Sequence, residues 1–521
     1  MSRKKNFSVF EILFSVILFL QFLLLIIVNL TQIKMHFDSD AGMIMNHIMM
    51  IVKEKSLLIP DWVYPSTLEF DSTAFFALPI YLITRNIYLS LGLSNILLCA
   101  LLSYSILYLF DGSKKIYPIL TLNLLLIPYT VGALDYYNML FYIGAQYCIK
   151  VTVPILLLGL MLHLRNEKKE KKDVKSLVAF ILYLILLFVT SFSSGVYVFV
   201  CGLLPLLLAY SAYKFFNSEK IKKNEIILFS GTVLCSLIGI LLNTKAQTAK
   251  GNGMVFVRVE NLWNNIQKCF FGLFQLLGSA TTSSELKVIS SEGIELLIKL
   301  GVTLSLIVFL IIAIILFIKD KKDLFLLLGA SVTVWNFMIL CITDTRYGAD
   351  TFEYRYHLIG LIPMFCIMTK LLLDGLERLK KRQQITLAVF GLLVLVYLNI
   401  TGIQSFKNVD EHAELKEIIS YCKELDVDTV FFLDDNQRAE NCRVLDQSET
   451  VNYLVVHGDG KSFVRDYYKE YNGLPIAAED NYAVVVDYSF FPWEENVDFN
   501  GFVNLKRINS FEGTGVYVKA E

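Results

Sequence analysis

Eleven apolar runs set the terms for this chain: 9–33, 88–110, 117–134, 151–164, 177–190, 195–213, 226–243, 294–318, 324–343, 358–373 and 385–403. About 20 apolar residues cover the hydrocarbon core of a bilayer. Of the 521 residues, 55% are hydrophobic, and the mean hydropathy is +0.55. A soluble globular chain has a lower apolar share. The pattern predicts a mostly α, polytopic transmembrane protein. Run 9–33 is too long for a signal-peptide core, and no small-residue cleavage site follows it. It reads as an uncleaved first helix. The net charge of -1, with no long basic tract, argues against a nucleic-acid partner.

Six basic clusters punctuate the runs: Arg3-Lys4-Lys5, Lys114-Lys115, Arg165 to Lys175, Lys214 to Lys223, Lys319 to Lys322 and Arg378 to Arg382. Placing all six in the cytoplasm satisfies the positive-inside rule with about eleven spans. The expectation is a multi-pass plasma-membrane protein with a cytoplasmic N-terminus and an extracytoplasmic tail. Segment 75–84 is short and holds Pro79, so it reads as a helix at the interface rather than a span. Four outer loops result: 34–88, 135–150, 244–292 and 344–357. The inner loops are short and lysine-rich, which puts the chemistry on the outer face.

Residues 1–403 form the transmembrane part in this reading, and 404–521 an extracytoplasmic accessory domain. The tail regains polar residues. Segment 411–424 has a helical apolar pattern, and 429–433, 453–457, 482–487 and 515–518 have strand patterns. The alternation predicts a small α/β domain. The tail carries no Gly-rich phosphate loop and no Cys/His set at metal-binding spacing. Most of the nine cysteines sit singly in apolar runs and count as small hydrophobes. Cys422 and Cys442 both fall in the tail, where spacing alone does not decide a disulfide.

Chemistry concentrates in two loops. Asp38 and Asp40, in His36-Phe37-Asp38-Ser39-Asp40, follow the first span directly. Ionisable groups at membrane depth usually mark a site. In an extended or turn segment both carboxylates could face one hydroxyl or one cation. A Met-rich amphipathic stretch, 41–55, follows them. Trp62 and Tyr64 lie beyond it, suited to the headgroup zone or to stacking on a sugar. The fourth outer loop brings Arg346 and Arg355, with Glu353 and His357 alongside. Guanidinium groups bind phosphate bidentately. The plainer alternatives are a solvated loop for the aspartates and interfacial anchors for the arginines. Together the two loops suit transfer from a lipid phosphate. A carboxylate can take the acceptor's proton. Arginine, or Mg²⁺ or Mn²⁺ held by Asp38 and Asp40, can stabilise the departing phosphate.

These features resemble the GT-C glycosyltransferases: a first helix, an outer-loop Asp-x-Asp at Asp38 and Asp40, surface helices in that loop, many spans and an outer C-terminal domain. The resemblance covers the architecture of the whole chain. At residue level it rests on His36 to Asp40 and, more weakly, on 346–357. It implies a bacterial-type membrane enzyme that moves a sugar from a polyprenyl-phosphate donor to a cell-envelope glycan or lipid acceptor. It also implies an acidic catalytic base at Asp38 or Asp40. A lipid-linked sugar flippase would place more charge in mid-span. A polysaccharide polymerase would share the donor and the arginine-bearing loop.

Overall fold

The computed structural model describes residues 9–59, 62–64, 67–166, 174–246, 255–280, 287–345, 352–406, 409–447, 451–457, 481–487, 496–499, 502–511 and 514–519. Among them, ten helices are long and apolar enough to cross a membrane. They are Val9–Thr31, Ile87–Leu109, Cys148–Arg165, Val174–Ser194, Phe199–Phe216, Lys223–Ala246, Ser291–Asp320, Leu324–Ile342, Tyr354–Leu376 and Lys381–Gln404. Each overlaps one of the apolar runs. Polar caps start several of them. Asn86 accepts the Leu89 N–H at 3.1 Å, Ser290 that of Gly293 at 3.0 Å, and Asp323 that of Leu326 at 3.2 Å. Each cap satisfies one of the N–H groups a helix start leaves without a partner, and contributes about 1 kcal/mol. The outward face of Ser291–Asp320 leaves Ile294, Leu297, Leu304, Val308, Ile311 and Ile315 exposed. So broad an apolar surface suits hydrocarbon, not water.

Run 117–134 departs from a single continuous helix. It forms helix Ile116–Leu125, then turns, then helix Tyr136–Phe141. The chain still crosses the bundle here. Before it, Asp111 faces His163, near the end of helix Cys148–Asn166, at 3.9 Å. After it, Lys150, near the start of that same helix, faces Asp71 at 3.2 Å. Pro128 lies just past the helix end and disfavours helical backbone in the residue before it. Irregular backbone at such depth persists only when protein groups satisfy it. Gln21 Nε2 donates to the Asn123 carbonyl at 2.9 Å, and the Tyr136 hydroxyl to the Leu125 carbonyl at 2.7 Å. Segment 75–84 forms helix Ala74–Thr84, too short to span, packed on Ile87–Leu109.

The basic clusters meet at one end of the bundle. Arg165 Nη1 donates to the Lys322 carbonyl at 3.2 Å, Lys222 Nζ to that of Leu164 at 3.0 Å, and Lys114 pairs with Glu377. Arg3-Lys4-Lys5 lies outside the described residues.

The tail is α/β. Its sheet runs Asn452–Val456, Thr429–Leu433, Tyr482–Asp487, Thr514–Lys519, Phe502–Phe511, Asn496–Phe499. The first three strands are parallel and the remaining pairs antiparallel. Strand alternation divides two cores. Val430, Phe432, Val455 and Val485 face helix Ala413–Glu424, while Phe431, Leu433, Val484 and Val486 line the other side. The four tail strands read from the sequence form within a residue or so. The strands Asn496–Phe499 and Phe502–Phe511 and the helix Asn436–Leu445 were not legible there.

Candidate active site

The site lies at the end of the bundle opposite the basic clusters. After the first helix and a short turn, Ile33–His36, the backbone extends through Phe37 and re-enters a helix at Ser39–Glu54. Asp38 is the N-cap of that helix, and its Oδ1 accepts the Ala41 N–H at 2.8 Å. Asp40 stands in the first turn. The N-terminal dipole of a helix favours negative charge at both positions. The two carboxylates do not converge on one partner, because the helix begins between them. Asp40 Oδ2 instead takes Arg355 Nη1 at 3.3 Å and Gln146 Nε2 at 3.2 Å.

Arg355 comes from a 3-10 turn, Tyr354–His357, at the head of helix Leu358–Leu376. Its Nε lies 3.2 Å from Glu353 Oε2. Gln146 links onward, since its carbonyl accepts Lys150 Nζ at 2.8 Å. Lys150 Nζ sits 3.2 Å from Asp71 Oδ1, and Ser194 Oγ donates to Asp71 Oδ2 at 2.6 Å. The Lys150 and Asp71 side chains are 8% and 0% exposed, so this is a buried ion pair. Glu69 stands two residues before Asp71 with φ +61, a left-handed conformation that costs a non-glycine residue energy. The loop that carries it is tied down by Leu68 N–H to Ser193 O at 3.0 Å and Thr73 N–H to Gly144 O at 3.1 Å.

Burial dominates the titration of two acids in the cluster, Asp38 and Glu69, with neighbouring charges second. Five carboxylates, those of Asp38, Asp40, Glu69, Asp71 and Glu353, share the cluster with two cations, Lys150 and Arg355. Asp38 and Glu69 show no close ion pair among these contacts. Burial pushes the Asp38 carboxyl up to about 7, reinforced by the Asp40 charge and opposed by the Ala41 N–H and Arg355. Burial likewise pushes Glu69 up to about 7, with Lys150 opposing and Asp71 adding to the rise. A carboxylate that titrates near neutral pH is suited to taking and returning a proton.

The other residues singled out from sequence fall elsewhere. Trp62 and Tyr64 are 3% and 2% exposed. Trp62 stacks on His47 at 5.0 Å, and the Tyr64 hydroxyl meets His47 Nε2 at 2.9 Å and the Ile59 N–H at 3.1 Å. Their faces are taken up in packing the first outer loop. His357 is buried too, with Nε2 2.9 Å from the Cys269 carbonyl, away from the charge cluster. Arg346 lies outside the described residues. Sequence reasoning missed Glu69, Asp71, Gln146 and Lys150. The available signal was Lys150, a lone cation at the start of an apolar run.

Among the described residues, no three His, Cys, Asp or Glu groups converge as a metal site. Asp40 faces Arg355, Asp71 faces Lys150, and Asp38 caps a helix, so these three acids do not gather around a common point.

No protein-family model and no curated protein matches the chain. Solved structures do. ArnT from Cupriavidus metallidurans in the apo state superposes with a TM-score of 0.59 at 10% identity, over 96% of this chain and 97% of that one. The same protein bound to undecaprenyl phosphate gives 0.58 at 10% identity, with the same coverage. The Archaeoglobus fulgidus oligosaccharyltransferase, in complex with Zn and sulfate, gives 0.53 at 10% identity, over 91% of this chain and 68% of that one. This chain has the GT-C fold. At 96% coverage, the likeness spans the tail as well as the bundle.

Proposed function

We propose that the chain is a membrane glycosyltransferase. It moves a sugar from a polyprenyl-phosphate donor to a glycan or lipid acceptor at the outer face of the membrane. The observation that carries this is the acid-rich cluster around Asp38, Asp40 and Arg355, at the end of the bundle away from the basic clusters. The fold shared with ArnT, one structure of which holds undecaprenyl phosphate, supports a lipid-phosphate donor. In the reaction the acceptor hydroxyl oxygen attacks the anomeric carbon, and the sugar–phosphate C–O bond breaks. The hydroxyl proton passes to a carboxylate, and the polyprenyl phosphate leaves with the bonding pair. Asp38 is the preferred base, because Asp40 is already held by Arg355 and Gln146. Arg355, and Arg346 beside it in sequence, hold the phosphate. Lys150 adds positive charge behind them. If Asp38 and Asp40 also bind a divalent ion, chelation lowers transfer and Mg²⁺ or Mn²⁺ restores it. A flippase would move the donor and leave its sugar–phosphate bond intact.

Arg355→Ala should weaken binding of the donor about tenfold or more, since a charge-assisted contact contributes about 1.5–3 kcal/mol. Arg355→Lys should recover part of this, because the charge returns without the planar fork. Equilibrium binding of the lipid donor to purified protein checks both. Unchanged affinity in Arg355→Ala assigns the residue to the loop's own packing.

The basic end is proposed to be cytoplasmic. Reporter fusions after Lys115, Lys223 and Lys322 should read cytoplasmic, and one after Glu521 external. A cytoplasmic reading at Glu521 reverses the site to the inner face.

A further inference from the structure

The tail reaches the helix that carries the aspartates, and its contact there is polar and buried. Helix Asn436–Leu445 packs along Ser39–Glu54. Asn46 Nδ2 donates to Glu440 Oε2 at 2.5 Å and to the Glu440 carbonyl at 3.1 Å. Asn46 is 3% and Glu440 2% exposed. The other Glu440 oxygen takes Arg443 Nη1 at 2.6 Å. Arg443 also donates to the Tyr453 carbonyl, through Nε at 2.9 Å and Nη2 at 2.5 Å. Tyr453 lies on the strand Asn452–Val456, at the sheet edge. A chain of hydrogen bonds thus runs from the tail sheet to the aspartate helix.

A second tie grips the entry to that helix. His412 Nε2 lies 2.8 Å from the Phe37 carbonyl, and the Glu411 N–H donates to the Met35 carbonyl at 3.0 Å. Phe37 immediately precedes Asp38. Between the two ties the helices nearly touch: a Cβ at Gly42 would come within 2.7 Å of Asn441 Oδ1. Burying a carboxylate in a contact is costly unless it is paired, and an apolar contact would hold the tail as well. What paired polar groups add is a fixed rotation and register.

We infer that the tail positions the aspartates: Glu440 acting through Asn46, and His412 acting through the Phe37 carbonyl, set how helix Ser39–Glu54 presents Asp38 and Asp40 to Arg355. Both are positioning residues. The inference rests on the reading of this pair as catalytic.

The test uses the full chain in lipid nanodiscs with Glu440→Ala, Asn46→Ala, the double variant, and the exchanged pair Asn46→Asp with Glu440→Gln. Two readouts run in parallel: amide hydrogen exchange over residues 39–54, and kcat and donor KM for transfer from a polyprenyl-phosphate sugar. Each Ala variant should exchange faster over 39–54. Each should lose about 10–100-fold in kcat, the cost of a small misplacement of reacting groups, with donor KM nearly unchanged. The double variant should fall well short of the product of the two single losses, because the singles share the Asn46–Glu440 side-chain contact. The exchanged pair should restore part of kcat, since it rebuilds the side-chain hydrogen bond with the roles reversed while the bond to the residue-440 carbonyl stays lost. Where Glu440→Ala does not fold, Asn46→Asp alone, which sets two carboxylates together, is compared with the exchanged pair. Unchanged exchange over 39–54, unchanged kcat despite faster exchange, or a loss that the exchanged pair does not restore even in part overturns the inference. Asp38→Asn and Asp40→Asn are assayed beside these. Full activity in both refutes the catalytic reading, and the exchange data then judge the tail contact by itself.

Discussion

Asp38→Asn should lower turnover about 10²–10⁴-fold, the range that a general base contributes. The amide matches the carboxylate in shape but cannot take the acceptor's proton. It still caps helix Ser39–Glu54, because Asn serves as well as Asp at that position. The loss is therefore expected without unfolding. The pH dependence has a defined sign. A base works deprotonated, and burial pushes Asp38 up to about 7. In the wild type kcat/KM should rise with pH through about 7 and level off above it, and the residual rate of Asp38→Asn should lack this limb. The same shift bears on stability. The folded chain holds the Asp38 proton more tightly than the unfolded chain does. Its contribution to stability therefore falls as pH rises from the ordinary carboxylate value of 3.8 to about 7. A wild-type profile flat from pH 6 to 8 would point away from Asp38.

The largest effect on stability should come from Lys150. Replacing it with Met leaves Asp71, whose side chain is 0% exposed, without its cation. Breaking a buried pair from one side costs about 3–5 kcal/mol, because an uncompensated charge remains. The double variant Lys150→Met with Asp71→Leu should recover most of that, since removing both charges together is often neutral. Thermal unfolding of the purified protein in one detergent measures both. A double variant as unstable as Lys150→Met would show that the Lys150 side chain stabilises by some route other than its pair with Asp71.

What the sequence made legible follows from what leaves a trace along the chain. A charge beside an apolar run is costly enough to stand out, and so Asp38, Asp40 and Arg355 were visible. Their pairing was also legible in outline, because counting spans puts both loops on one face. Glu69, Asp71 and Gln146 were not visible. Each is an ordinary loop residue in sequence, and only the fold brings Lys150 and Ser194 to Asp71, and Asp40 to Gln146. Trp62 and Tyr64 show the reverse case. An aromatic in a polar loop can stack on a sugar or on its own neighbours, and here His47 occupies the contact. Helix Asn436–Leu445 lacks an apolar period because its buried face includes Glu440, which meets Asn46 on another helix, and Asn441, which packs against Gly42. Run 117–134 reads as one span in sequence, and the break after Leu125 was missed although Pro128 marks it. The carbonyl partners that make the break tolerable, Gln21 and Tyr136, were not legible either.

We propose that the Asp38–Asp40 helix carries transfer from a lipid-phosphate sugar. The most direct measurement follows a labelled sugar on polyprenyl phosphate, using purified wild type, Asp38→Asn, Asp40→Asn and the double variant. The expected result is labelled product and free polyprenyl phosphate from the wild type, with donor still bound but product formation lost in Asp38→Asn and in the double variant. Full transfer by both single variants and the double variant would contradict the account.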